Sequence, residues 1–385
     1  MIKRFVTALA IGLSGLSAIS SLRAASPSIW NGNGADNNWM TVLNWAGSNV
    51  PIPSATYDLQ FGGTNNLSTN NDFTAASNFR NLTFNSGAGA FTLGGNSITF
   101  NGAVTNSSTN LQTITLNLAS TGATHTFGMT TGGGNITIGV AGDTTKGVIS
   151  GATAGVATTG VGMLTLWGNN TYGGTTTLAN STTININSAT AIGTGTFSIA
   201  GSSGAFDNTS SNAITLTSNN AITLSGSPTF TGTNDLNMGT GGVSLNLASG
   251  TRTFTVNGST LTLGGIVAST GGGIQKSGVG TLALTNTAST YTGTTTVNNG
   301  VLSIASIKNT STASSIGAPT TAAAGTIAIG SSATAGTLKY TGTGDTTNRV
   351  VNLAGTTGGA ILDQSGSGLL KFSTDFTEPV TVSKQ

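Results

Sequence analysis

Few side chains in this chain are equipped for chemistry. There is one histidine, His125, in the run ATHTFGM, and no cysteine in 385 residues. A single imidazole excludes a multi-histidine metal centre, and any nucleophile–base–acid triad would have to be built on that one residue. His125 instead reads as a stacked or surface polar residue on a strand. The acids are Asp36, Asp58, Asp72, Asp143, Asp207, Asp235, Asp345, Asp363, Asp375 and Glu378, and neighbours lie 12 to 110 residues apart except for the last two. A glycosidase needs two carboxylates in one cleft. A coil with about 20–25 residues per turn could bring two such scattered acids together. Gly132-Gly133-Gly134-Asn135 lacks the aspartate of the calcium-binding nonapeptide. These residues define no catalytic, cofactor-binding or metal-binding set, and no cofactor is expected.

The elements that would position any site must be strands. Glycine numbers 58, and only 6% of residues are charged, against an average near ~25%. Disordered chains are rich in charge and poor in β-branched residues. Here Val, Ile, Leu and Phe recur at every second position in runs such as NLTFNSG, SITFNGAVT and QTITLNLAS. That period, with abundant threonine, suits a pleated surface. Interruption by Gly, Ser, Thr and Asn disfavours helix throughout. The fold class is therefore all-β. Short strands continue for some 300 residues without a change of composition, beyond the usual reach of one sandwich, and favour a solenoid. With no disulfides available, stability has to come from the stacked β architecture itself.

Residues 1–24 read as a secretory signal: Lys3 and Arg4 form a positive start, an apolar stretch runs from Phe5 to Ile19, and small residues lead to a cut after Ala24 or Ala25. Removing Lys3, Arg4 and Arg23 leaves nine basic residues against ten acidic ones, so no basic patch exists for nucleic acid. No second apolar stretch is long enough to span a bilayer as a helix. Residues 25–77 hold Trp30, Trp39 and Trp45 within sixteen positions. These indoles would either plug the open end of a β stack or stack on sugars, and their terminal place favours the plug. The remainder, 78–385, reads as the repetitive body.

That body is duplicated. GVGMLTLWGNNTYGGTTTLANSTTINI (160–186) returns as GVGTLALTNTASTYTGTTTVNNGVLSI (278–304), and Leu116-Asn117-Leu118-Ala119-Ser120 returns as Leu245-Asn246-Leu247-Ala248-Ser249. Thr126-Phe127 and Thr253-Phe254 follow the pentapeptides, and ATAIGTGTFSIAGSS pairs loosely with SSIGAPTTAAAGTIAIGSS. Offsets of 119 residues between Tyr172 and Tyr291 and 129 between the pentapeptides point to a tandem unit with insertions between strands. The Gly-Val-Gly elements supply tight turns, alternate leucines face one side, and the threonine runs would stack from rung to rung.

This pattern resembles the autotransporter-associated β-strand repeat of bacterial surface proteins: a glycine–leucine start, an Asn-Thr-Tyr-x-Gly centre, a threonine run, then Gly-x-Leu. The second copy keeps the last element as Gly300-Val301-Leu302, whereas the first reads Asn180-Ser181-Thr182. The resemblance implies a right-handed parallel β-helix with an N-terminal Trp-rich cap, exported and displayed or released as a passenger, without catalytic residues. Such proteins end in a membrane barrel of about ten-residue strands. The run to Gln385 lacks one, so the chain is expected either to be a fragment, the reading favoured here, or to reach the surface another way, with any outer-membrane tether outside this sequence. The expected function is a non-enzymatic adhesin or display scaffold, its partners surface glycans or other host or environmental surfaces. A secreted carbohydrate-active β-helix, lyase or glycosidase, is the alternative. A minor reading takes flat threonine arrays as an ice-binding surface.

Overall fold

The computed structural model describes residues 28–130 and 132–377. The leader over 1–24 and Glu378 lie outside these residues. One turn shows how the sequence builds the rest. In the strand Leu82–Phe84 the leucine and phenylalanine are buried while Thr83 faces out, as period-two alternation requires. The chain then bends into Thr92–Gly95 and again into Ile98–Phe100. It returns as Val104–Asn106, with Val104 beside Leu82 in parallel register. Parallel strands need a long crossover, and here the other two sides of the coil serve as that crossover.

Repeated along the chain, this makes a three-sided parallel solenoid of about thirteen turns. The first side has eleven strands, from Ser28–Trp30 to Val267–Ala268. The second has thirteen, from Ser68–Asn71 to Val351–Gly355. The third has four, ending at Ile149–Ser150, and resumes with seven from Ile214–Thr215 to Ala360–Gln364. In the last turns the pair Asp345–Thr347 and Leu370–Phe372 forms a short further ladder. One turn of α-helix, Ala322–Gly325, and two short 3-10 segments make up the helix content of the described residues. The expected all-β parallel coil is the fold. Its interior is a single apolar column, with Phe61 stacked on Phe84 at 5.5 Å and Phe206 tilted against Phe230 at 5.5 Å.

The coil begins earlier than the boundary at residue 78 anticipates. Ser28–Trp30 pairs with Leu59–Phe61, which pairs with Leu82–Phe84. Three-residue strands separated by Asn- and Pro-rich loops carry too little alternation to be read as strands. Only the segment between Trp30 and Leu59 closes the end. Trp30, Trp39 and Trp45 are no more than 1% exposed there, with Trp30 and Trp45 edge-to-face at 5.2 Å. Their indole N–H groups donate inward, Trp39 to Thr69 Oγ1 at 2.9 Å and Trp45 to the Trp39 carbonyl at 2.6 Å. Buried faces cannot stack on a sugar, so these three indoles plug the stack.

The duplication survives with a twist. Strand by strand, the second copy sits one side further round the coil. Gly162–Leu166 lies on the second side, and its counterpart Thr281–Leu284 on the third. Thr176–Leu178 lies on the first side and Thr295–Val297 on the second. The same shift carries the Thr-Phe pair from the first side to the second. Equivalent residues of the two copies therefore point in different directions from the axis.

Candidate functional site

Most of the residues singled out for chemistry are held by structural partners; Asp375 is exposed. His125 is 1% exposed, not a surface residue, because the strand Thr124–Met129 turns positions 125, 127 and 129 inward. Its ring lies tilted against that of Phe100, with centroids 4.4 Å apart. Its Nδ1 meets the Gly102 carbonyl at 2.8 Å, and its Nε2 meets the Ser120 hydroxyl. A buried Ser–His contact oriented by a backbone carbonyl has no access for substrate and no carboxylate behind it.

The carboxylates serve turns and rungs. Asp58 forms a bidentate pair with Arg80, at 2.8 and 2.6 Å, and this holds its carboxyl below the usual range. Asp143 caps its own turn through Thr145, whose hydroxyl and amide lower its carboxyl likewise. Asp36, lowered by its hydrogen bonds, gathers the cap around Asn44. Asp207 is buried and accepts the amides of Gly232 and Thr233 one turn on. Asp235 accepts the Thr260 amide at 2.7 Å. Asp345 meets Lys308, and Asp363 meets Lys339 at 3.6 Å. Among the described residues no group of three or more His, Cys, Asp or Glu could hold a metal ion.

The repeated motif is a corner device. Tyr172 and Tyr291 are fully buried. Their hydroxyls meet Thr176 at 2.6 Å and Thr295 at 2.9 Å, so the middle residue of each threonine run points inward rather than stacking outside. Burial pushes both phenols up, Tyr291 to about 12. One turn on, Gly193 (φ 63°) and Gly317 (φ 71°) lie flat on these rings. A Cβ at either would stand within 2.9 Å of the ring and closer still to the tyrosine carbonyl oxygen. This explains the Ala-Ile-Gly and Ser-Ile-Gly segments that follow each motif. The outward threonine ladder is built by other residues: Ser68, Thr92, Thr113, Thr137 and Thr165 stand in register on five successive turns of the second side.

Sequence reasoning passed over two buried cations. Lys276 occupies an inward position in register with Phe254 and Val297. Its ammonium donates to the carbonyls of Ser277, Gly278 and Asn299, and burial pulls its pKa down to about 8. Arg349 is 1% exposed and donates to the carbonyls of Lys308, Ile316 and Gly317 and to the Ser314 hydroxyl. It thereby pins the insertion that carries Gly317. Burial pulls it down to about 10. The inward parity of Lys276 was the available signal; Arg349 left none in the sequence.

On the exterior an open groove of about 840 Å³ lies where the first side ends. It lies over Ser244 and Ala268, between the second pentapeptide and the turn Thr290–Thr292.

A three-sided parallel coil, with outward hydroxyls in register and few charges, is the architecture of a β-solenoid scaffold. The family model described as "Passenger-associated-transport-repeat" matches residues 158–184 and 274–304, the two tyrosine corners with their flanking strands. The chain is also similar to a protein named "Adhesin BmaC autotransporter" from Brucella suis biovar 1 (strain 1330), 30% identical over 214 residues. That match covers 56% of this chain and 6% of the Brucella protein. No solved structure matches. The chain thus carries two copies of a passenger-associated repeat and is similar over 214 residues to one autotransporter adhesin.

Proposed function

We propose that this chain is an exported, adhesin-like scaffold that presents its coil at the bacterial surface and works by contact rather than catalysis. The observation that supports this most directly is the pair of passenger-associated repeats set within one continuous parallel coil. Likeness to an adhesin autotransporter over 56% of the chain favours the same reading. The chemistry agrees with it. Carboxylates are held by amides, hydroxyls and cations of the coil, and the outer sides carry registered neutral hydroxyls suited to many weak contacts. Surface glycans are the partners such a side would meet.

The test is adhesion. Cells displaying the chain are expected to bind host or abiotic surfaces more than cells displaying none. Because the exterior is nearly neutral, that binding is expected to change little between low and physiological salt, where charge-driven attachment would weaken. Equal adhesion of the two strains, or hydrolysis of a polysaccharide by the purified chain, would refute the reading.

A further inference from the structure

We propose that the groove at the end of the first side is a binding site for a neutral oligosaccharide. The inference rests on the adhesin-like reading and names a site and ligand class for it.

The groove arises where two identical pentapeptides fold differently. In the first copy Leu118–Ser120 is a regular strand whose Leu118 is fully buried. In the second, the strand Val243–Ser244 is followed by Asn246 at φ 48°, which leaves Leu247 half-buried and Ala248 exposed. The cause lies a few residues on, in Thr124-His125-Thr126-Phe127 against Thr251-Arg252-Thr253-Phe254. His125 tucks inside the coil against Ser120. Arg252 reaches back and donates to the Leu245 carbonyl at 2.9 Å and the Asn246 carbonyl at 3.3 Å. Where an imidazole sits inside, a guanidinium holds the bent chain outside, and the bend forms one wall of the groove.

The lining selects the ligand. No charged side chain faces the groove, so nothing there would offset the desolvation of an ionic ligand. Leu247, Ala248 and Ala268 offer small apolar surface for the C–H face of a sugar ring. The hydroxyls of Ser244, Thr270 and Thr290 stand among them and can donate to or accept from sugar hydroxyls. An extended peptide would instead need an open strand edge. The edge at Val267 is closed, because its amide donates to Ser289 Oγ at 3.1 Å and its carbonyl accepts from Thr290 at 2.9 Å. About 840 Å³ is within the range of small-ligand sites.

The purified full chain is tested against immobilised malto-, manno-, galacto- and xylo-oligosaccharides, sialylated and sulfated glycans, and an unrelated extended peptide. Binding to at least one neutral series is expected. Ala268→Trp and Ser244→Tyr, which fill the groove from adjacent strands, are each expected to weaken it about tenfold or more. Thr177→Trp, outward on the same side but remote from the groove, should leave it unchanged. Arg252→His, which restores the residue of the first copy, should weaken binding without a new side chain in the groove. Far-ultraviolet circular dichroism checks folding, and two filling variants keep the test open if one misfolds. Undiminished binding by a folded filling variant would overturn the proposal. So would preference for acidic glycans or for the peptide, or no binding to any neutral series. If glycan binding fails while displayed cells still adhere, the groove assignment falls and the adhesin-like reading stands.

Discussion

Gly193→Ala tests the corner most sharply, because it adds one methyl group where one turn rests on the tyrosine of the turn before. Gly193 has φ 63°, and its missing Cβ would lie 2.7 Å from Cδ2 of Tyr172. Two costs combine. An alanine in the left-handed region costs about 1–2 kcal/mol, less about 0.4–1 kcal/mol returned through the stiffer unfolded chain. Forcing a methyl group into packed surroundings adds about 1–3 kcal/mol. Gly142 separates the two, since it has φ 78° with nothing within 4 Å of its Cβ position. Urea unfolding of both variants should place Gly193→Ala about 1–3 kcal/mol below Gly142→Ala. Hydrogen exchange should locate the loss at the Thr194 amide, which bonds the Tyr172 carbonyl at 2.9 Å. Gly317→Ala should repeat the result at Tyr291. Equal stability of Gly193→Ala and Gly142→Ala would refute the claim that these glycines exist to seat the tyrosines.

Lys276, held near pKa 8 against an ordinary 10.5, gives the fold a pH slope. Between these values the unfolded chain binds the proton and the folded one does not, so stability rises with pH. From pH 8 to 9, below the titration of the unfolded phenols near 10, the gain should be on the order of 1 kcal/mol, and Lys276→Met should abolish it in urea titrations at each pH. Arg349→Ala strips a charged donor from three carbonyls and should cost about 3 kcal/mol or more, with hydrogen-exchange protection lost first around the Gly317 segment. Tyr172→Phe removes only the hydroxyl and leaves Thr176 bonded to the Ile192 carbonyl at 3.0 Å, so thermal unfolding should show a loss of about 1 kcal/mol.

The fold was legible because parallel stacking imposes a simple rule on each strand: alternate residues face in, and turns need Gly or Asn. The tyrosine motif could be found for the same reason, since Tyr172 and Tyr291 need the same neighbours wherever they sit on the coil. Orientation was not legible. The duplicated unit spans five turns and one side, and nothing in a linear repeat distinguishes a unit that returns to the same side from one that advances by a side. Leu-Asn-Leu-Ala-Ser shows the same limit at short range, because the residue deciding its shape, His125 or Arg252, lies outside the pentapeptide. The buried charges escaped notice because in a sequence so poor in charge a lone lysine or arginine reads as solvent-facing, whereas the coil supplies carbonyls along its interior corners. For the same reason the groove left no motif: its walls are ordinary Ser, Thr and Ala brought together by a bend.

Export is the claim on which the rest depends. Cells producing the chain should be separated into cytoplasmic, envelope and medium fractions, with intact-mass and N-terminal analysis of the recovered protein. The account predicts surface-exposed or released protein whose first residue is Ala25 or Ser26. Protein confined to the cytoplasm and still beginning at Met1 would contradict it.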